Sequence, residues 1–466
     1  MIANATCGRK WAARRLLALV AAALHGLLGC AEADPRPRNL LLISIDTLRP
    51  DFLGSYGYER PTSPSLDALA ASGVVFETAL ATSPWTLPSH GSLFTGLYPR
   101  RHGVLDESSG LSDQIPVLAE QLSGAGFDTV AFVNSHYLSD WYGLERGFAE
   151  HRYAVELPTP EGPGVVGAWA REWLASQPRE PFFLFLHFYE VHSDYRALPL
   201  YREQFERPYD GPLDGSTAQL IAFRLGRFDL GENAARFLRD RYAAGIRQLD
   251  DLLGSLFADL ESSGLADRTL VVVTSDHGEE FLEHGDVLHG RTQYEEVLRV
   301  PLLFAGPGVP AGVRVSETAS LVDVAPSVLA LLGQGVPEDL DGRDLAPLWR
   351  GTPPADWADR RFFAEADHNG ALRDGVRAVR AGSWKLVADR SAASARLFDL
   401  ADDPGERRDV SDAHAARAAD LARELDAFAA QPPVAEPEAL GEPSREEVER
   451  LKALGYLQRQ EARSEP

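Results

Sequence analysis

Apolar residues in this chain gather in short unbroken runs, set between longer stretches where they return every third or fourth position. The runs cover residues 39–45 (NLLLISI), 129–133, 182–187 and 269–275, with a shorter one at 300–304. Each is of strand length, and an unbroken apolar run is the pattern of a strand buried on both faces of a parallel sheet. Helical periodicity marks residues 64–72, 115–125 (closed by Gly126), 165–176 and a long stretch from 232 to 262. Strands alternating with helices predict an α/β fold, a doubly wound and mostly parallel sheet flanked by helices. Residues 195–231 contain Pro and Gly and show little periodicity. They are expected to lie over the sheet edge as a loop that shapes a substrate site.

The texture changes after Pro353, where short strand-like pieces at 376–379 and 384–388 precede a helical pattern at 413–430. This predicts a smaller C-terminal α+β subdomain over 353–430, behind a main domain over 39–352. Residues 431–443 are rich in Pro and Glu, and 445–457 form an amphipathic pattern, so 431–466 are expected to be a linker and a terminal helix.

The front of the chain carries a different signal. Arg9, Lys10, Arg14 and Arg15 precede an apolar run from Leu16 to Leu28 that is too short for a stable membrane anchor. Residues 1–29 therefore read as a secretory signal. The run ends in Leu27-Leu28-Gly29-Cys30, similar to a bacterial lipoprotein cleavage site, with Cys30 as the lipidated residue and 30–38 as a tether. The expectation is an exported protein of the periplasm or cell surface, held to a membrane only through that lipid. Of the two cysteines, Cys7 lies in the leader, so the mature chain holds no disulfide.

Composition narrows the partners. The formal charge of −23 becomes −27 once the leader's four basic residues are gone. Such a charge excludes nucleic acid and an anionic lipid surface as binding partners. An anionic substrate would need local positive charge, from a metal or from clustered His and Arg.

Ligands of open α/β sheets sit outside the carboxyl ends of the strands. The residues just after the predicted strands are Asp46, then Asn134 and His136, then His187, Glu190 and His192, then Asp276 and His277. Asp46, Asp276 and His277 together suit one divalent cation, with oxygen and nitrogen ligands from two strands. Asp46 taken alone is equally a turn cap. Thr86, in Trp85-Thr86-Leu87-Pro88-Ser89-His90, precedes a short helix expected over 89–94. There it is a candidate nucleophile, its metal-bound hydroxyl activated as an alkoxide beside a helix N-terminus that favours anions. Taken alone, it is better explained as an N-cap.

These segments, in this order, resemble the sulfatase family of the alkaline phosphatase superfamily. The resemblance rests on NLLLISIDTLRPD (39–51), SPSLD (63–67), GVVF (73–76), TLPSH (86–90), LFTGLYP (93–99) and HGV (102–104). It continues through TSDHGEE (274–280), HG (289–290), YEEVLRVPL (294–302), LFDL (397–400) and DPGE (403–406). The resemblance implies Asp46, Asp276 and His277 as metal ligands and Thr86 at the nucleophile position. It also implies that His90, Asn134, His136, His192 and His289 contact the anionic group. A sulfatase would carry Cys or Ser at position 86, matured to formylglycine, and Arg at position 90. The β-methyl of Thr86 prevents oxidation to an aldehyde. Thr47 stands where a second metal-binding aspartate is usual, His277 where Asn is common, and Asn134 where Lys is. The resemblance implies Ca²⁺, whereas the ligand set with its added imidazole favours Mn²⁺ or Zn²⁺. Two catalytic expectations arise for an anionic ester substrate. One is attack by metal-bound Thr86 on phosphorus, with His136, His192 or His289 protonating the leaving oxygen. The other is sulfuric ester hydrolysis as in the family at large. A lipid-anchored, non-catalytic anion-binding protein is the alternative outside enzymology.

Overall fold

The computed structural model describes residues 36–154, 164–366, 375–389 and 394–441. The leader expected over 1–29, Cys30 and the helix expected at 445–457 lie outside these residues. The main sheet has eight strands: β1 (Asn39–Ile45), β2 (Gly73–Phe76), β3 (Asp128–Val133), β4 (Glu150–Tyr153), β5 (Phe182–Phe188), β6 (Thr269–Thr274), β7 (Leu302–Ala305) and β8 (Val313–Val315). Their spatial order is β8-β2-β7-β6-β1-β5-β3-β4. β1 lies at the centre, parallel to β5 on one side and β6 on the other. β7 runs antiparallel to both of its neighbours.

The unbroken apolar runs are explained by what covers the sheet. Leu40 and Leu42 of β1, Phe183 and Phe185 of β5, and Leu270 and Val272 of β6 enter one core. Their alternates Leu41, Ile43, Leu184, Leu186, Val271 and Val273 enter the core on the opposite face. Period-two alternation therefore sends successive side chains into two dry layers rather than one dry and one wet. The helix Ala234–Ser262 packs on the second face, and the helix Thr86–Thr95 contributes Leu87, Leu93 and Phe94 to the first.

Three expected elements differ in extent, each for a local reason. The run at 300–304 splits at Pro301, which has no N–H for a ladder. Arg299–Val300 pairs elsewhere, with Ala79–Leu80, and only Leu302–Ala305 joins the main sheet. The helix expected from 115 begins at Leu118, because Pro116 biases its predecessor toward extended backbone. Residues 195–231 are not a plain loop: they contain the helices Pro199–Phe205 and Thr217–Arg224.

The C-terminal part is an antiparallel sheet of β9 (Arg361–Ala366), β10 (Val376–Ala381), β11 (Trp384–Asp389) and β12 (Ser394–Asp399), in sequential order. The helix Ala415–Ala429 covers one face, with Leu421 and Leu425 against Val379, Leu386 and Leu397. Residues 431–441 fold back, and Glu438–Ala439 pairs with Ser109–Gly110. A buried ion cluster ties this sheet to the main body. Lys385 Nζ lies 2.9 Å from both Glu295 Oε1 and Glu406 Oε1, and Arg380 holds the other Glu295 oxygen at 2.9 Å. Lys385→Met should leave two carboxylates poorly compensated in the interior and cost about 3–5 kcal/mol in urea unfolding. A loss below about 1 kcal/mol would show the cluster to be dispensable.

Candidate active site

Period two also decides what the central strands present at their carboxyl ends. Ser44 and Asp46 fall on the face of Leu40 and Leu42, which is the face covered by the helix Thr86–Thr95. Register places Ser44 opposite His187 of β5 and Thr274 of β6. Thr86 is the first residue of its helix, with extended Trp85 at the cap position and no side-chain cap bond. Thr86 is therefore not an N-cap, and its hydroxyl turns to the strand ends instead. Its Oγ1 lies 3.4 Å from His277 Nε2. The helix starts three residues earlier than the expected 89, so Pro88 is inside its first turn, where no intrahelical N–H bond is lost.

Around His277 Nε2 the donors converge. Asp276 Oδ2 is 3.3 Å away and Asp46 Oδ1 is 3.5 Å away. The ring is oriented by its own Nδ1, 3.0 Å from the Gly278 carbonyl, the outer contact expected of a metal-binding imidazole. Asp276 Oδ1 accepts from the backbone N–H groups of His277 (2.9 Å) and Thr47 (3.3 Å), leaving Oδ2 for the cluster. Thr47 adopts a left-handed φ of 60° to aim that N–H, an uncommon conformation for a β-branched residue.

Both oxygens of Asp46 and Oδ2 of Asp276 are buried without a hydrogen-bond partner. Burial raises the Asp46 pKa above the usual carboxylate value, against the pull of His192 and His277. Unpaired carboxylates inside a protein are costly, and a cation is the group that relieves them. A four-coordinate ion with bonds of ~2.1 Å separates its ligands by roughly 3.4 Å. The distances of 3.3, 3.4 and 3.5 Å from His277 Nε2 match that spacing. Asp46, Thr86, Asp276 and His277 thus fit a divalent ion.

Two further imidazoles stand at the rim. His192 stacks on Tyr189 with centroids 4.1 Å apart, and its Nδ1 meets Ser193 Oγ at 3.0 Å. His289 packs 5.0 Å from His192 and 4.4 Å from His277, with its Nδ1 3.1 Å from Glu279 Oε1. Asn134 and His136 close the β3 end of the same edge. His136 Nε2 lies 3.4 Å from the Tyr142 hydroxyl, and its neighbour Tyr137 packs edge-on against Trp85 at 5.2 Å.

His90 differs from expectation. It is fully buried, its Nδ1 2.9 Å from the Thr86 carbonyl and its Nε2 3.0 Å from Ser44 Oγ. Burial holds it neutral, with its pKa lowered to about 4. Both of its ring nitrogens are engaged inside the protein, one on the Thr86 backbone and one on Ser44. Glu190, also at the β5 end, is turned against Gly164, where a Cβ would collide with its carboxylate.

Some contributors carried no recognisable signal. The helix Thr217–Arg224 reaches both rim histidines: Thr217 Oγ1 donates to Ser193 Oγ at 3.0 Å, and Arg224 donates to the His289 carbonyl at 3.1 Å. Arg224 is itself held by Asp286 at 2.9 Å. Only spatial proximity reveals these roles.

Glu280 gives the site region a pH signature. Burial pushes it up to about 8, against a hydrogen bond from Thr292 at 2.8 Å. An acid whose folded pKa is raised stabilises the fold below its unfolded value and loses that contribution as pH rises through the folded one. Glu190, pushed up to about 7 by burial, acts in the same direction. The Tm of the metal-free protein should therefore fall from roughly pH 5 to roughly pH 8.5, and Glu280→Gln should flatten the upper part of that fall. Parallel curves for the two proteins would remove Glu280 from the account.

The chain is similar to known proteins over most of its length. The Sulfatase family profile matches residues 38–334, and that of N-sulphoglucosamine sulphohydrolase, C-terminal, matches residues 283–431. The Delta 4,5-hexuronate-2-O-sulfatase of Bacteroides thetaiotaomicron is 27% identical over 428 residues, covering 82% of this chain and 86% of its own. The choline-sulfatase of Rhizobium meliloti is 27% identical over 429 residues, covering 80% and 82%. Among solved structures, the phosphonate monoester hydrolase of Agrobacterium radiobacter superposes with a TM-score of 0.70 at 25% identity, covering 84% of this chain and 96% of that one. With the family's sheet, its C-terminal subdomain and a carboxylate–imidazole cluster at the strand ends, this chain belongs to the sulfatase family of ester hydrolases.

Proposed function

We propose that this chain is a metal-dependent hydrolase of anionic esters in which Thr86 attacks a tetrahedral phosphorus or sulfur centre, with phosphoesters, phosphodiesters above all, as the preferred class. The observation that carries this reading is the placement of Thr86 Oγ1 at a helix N-terminus, 3.4 Å from His277 Nε2 and beside unpaired buried carboxylates. A divalent cation held by Asp46, Thr86, Asp276 and His277 would acidify the hydroxyl and draw charge from the ester's non-bridging oxygens. The imidazole among those ligands favours Mn²⁺ or Zn²⁺ over Ca²⁺.

The protein's own part is set by the geometry. Backbone N–H groups at the start of the helix Thr86–Thr95 favour the anionic head. Asn134 and His136 line the β3 side of the same edge. Thr86 Oγ1 displaces the alcohol, and the leaving oxygen takes a proton from His289 or His192. Glu279 on His289 Nδ1 orients that ring. Water then releases the acid from Thr86. With a methyl on Cβ, release cannot run through an aldehyde hydrate, so it must occur by a second displacement at phosphorus or sulfur. That requirement favours phosphoesters.

Hydrolysis of sulfate esters is the second reading, supported by the family and by the two sulfatases named above. The test is turnover of an aryl sulfate, an aryl phosphate monoester and an aryl phosphodiester by the purified chain with Ca²⁺, Mn²⁺ or Zn²⁺. Fastest phosphodiester cleavage with Mn²⁺ or Zn²⁺ is expected. Dominant sulfate cleavage would replace the first reading with the second.

A further inference from the structure

His289 stands just past the end of a two-stranded hairpin, Glu280–Phe281 against Val287–Leu288, whose last pair joins Leu288 to Glu280. Phe281, Val287 and Leu288 are buried in the second core, so apolar packing fixes the body of the hairpin. It does not fix the bend that follows. Leu288 has a left-handed φ of 64° and Gly290 one of 88°, so the backbone turns unusually on both sides of His289. Glycine takes that conformation freely, but a leucine is strained there and keeps it only where its surroundings hold it. Glu279 Oε1, 3.1 Å from His289 Nδ1, orients the ring. That contact leaves open where the backbone beneath the ring stands.

The helix Thr217–Arg224 supplies the hold. Arg224 Nε donates to Asp286 Oδ1 at 2.9 Å, and its Nη1 donates to the His289 carbonyl at 3.1 Å. One guanidinium thus bridges residues 286 and 289, with the strained Leu288 between them. Its donors lie in a rigid planar fork, so the side chain sets how far apart the two acceptors stand. Asp286 Oδ1 also accepts from the Val287 N–H at 2.9 Å, which ties the fork to the strand backbone. The Arg224 side chain is 9% exposed, so little water competes for either bond. The other end of the helix is fixed as well. The Thr217 N–H donates to Asp194 Oδ1 at 2.6 Å and its Oγ1 to Ser193 Oγ at 3.0 Å, in the loop that carries His192. An ion pair serving stability alone needs only the Asp286 arm. The second arm falls on the backbone of His289, whose ring packs 4.4 Å from that of His277.

We propose that Arg224 is a positioning residue for ester cleavage: by clamping the His289 carbonyl to Asp286 across Leu288, it holds the His289 ring where the leaving oxygen departs. The inference rests on reading His289 as the group that protonates that oxygen. In that step Thr86 Oγ1 bonds to phosphorus or sulfur, the bond to the alcohol oxygen breaks, and the proton of His289 passes to the departing oxygen. A misplacement of about 1 Å in such a group costs roughly a hundredfold in rate. The loss falls on esters whose leaving oxygen needs the proton. A nitrophenol departs as its anion unaided, whereas phenol or an alkyl alcohol does not. Through Arg224, residues 195–231 therefore decide whether the protein cleaves unactivated esters or only activated ones.

The test measures kcat/KM of the whole protein with Mn²⁺ on methyl aryl phosphates whose phenols run from 4-nitrophenol to phenol, or on the matching aryl sulfates if those turn over faster. Arg224→Lys keeps the charge but offers no fork. It should lose about a hundredfold on the phenyl ester and less than about fivefold on the nitrophenyl ester, the same steepening expected of His289→Ala. In a His289→Ala background, Arg224→Lys should change nothing further, the mark of one residue acting through another. Equal losses on all esters, or losses that add to those of His289→Ala, overturn the positioning role and leave His289 as the proton donor. A His289→Ala variant with no leaving-group dependence overturns the donor reading and this inference together, as does the absence of turnover on both series. Asp286→Asn loosens the other arm of the clamp, keeps an acceptor for the Val287 N–H and should give a smaller steepening. It decides the question if Arg224→Lys misfolds, and a flat response there overturns the inference.

Discussion

Thr86→Ala should lower kcat by at least about a thousandfold on every ester the protein cleaves, with the fold and cation binding retained. The substitution removes one hydroxyl and one methyl from the first turn of a helix, where Ala is well accommodated. Asp46, Asp276 and His277 remain to hold the ion, so a metal titration should still saturate at one equivalent. The effect should be on kcat more than on KM, because the anionic head keeps its other partners. Thr86→Ser, which preserves the oxygen, should recover most of the rate. Turnover of Thr86→Ala near the wild-type rate, with metal bound, would mean that water or another side chain attacks directly. In that event Thr86 would be only a ligand or a positioning residue.

Asp46→Asn should produce opposite signs in two measurements. Without metal, the wild-type protein keeps a buried carboxylate with neither oxygen hydrogen-bonded. Replacing it by a neutral amide of the same shape removes that penalty, so the metal-free Tm should rise. With metal, the variant has lost a charged ligand, and affinity should fall by about two orders of magnitude. At saturating cation, a hundredfold loss of affinity removes ~2.7 kcal/mol of linked stabilisation. Scanning calorimetry with and without Zn²⁺ should therefore show a wild-type Tm that moves strongly with metal and a variant Tm that starts higher and barely moves. If both proteins respond equally to the ion, Asp46 is not a ligand, and its unpaired oxygens need another explanation. A lower metal-free Tm in the variant would instead indicate that the carboxylate is stabilised by the histidines around it.

Much of this was legible in the chain. The doubly wound sheet is implied by unbroken apolar runs, because a strand covered on both faces has no polar side to show. The cluster residues are those standing immediately after such runs, because ligands collect at strand carboxyl ends. Asp46 and Asp276-His277 are local in that sense: each is placed by its own strand. The leader and Cys30 are read from sequence alone and lie outside the described residues.

Other features depend on distances that no local pattern encodes. His187 looked like the last residue of a buried strand, and only its register with Ser44 shows which carboxylate it faces. His90 matched a family position for an anion-binding side chain, yet the depth of its helix places it between Ser44 and the Thr86 carbonyl. Thr86 itself changed from a candidate cap to the first helical residue, since the helix starts where Trp85 leaves extended backbone. Residues 195–231 had no readable periodicity because their two helices are short. Their contacts with Ser193 and His289 run through Thr217 and Arg224, across tens of residues of sequence. Local backbone preference and burial determine the strands and the residues at their ends, so the sequence alone carries that much. Which side chains share one small volume is set by strand register and helix depth, and those exist only once the chain has packed.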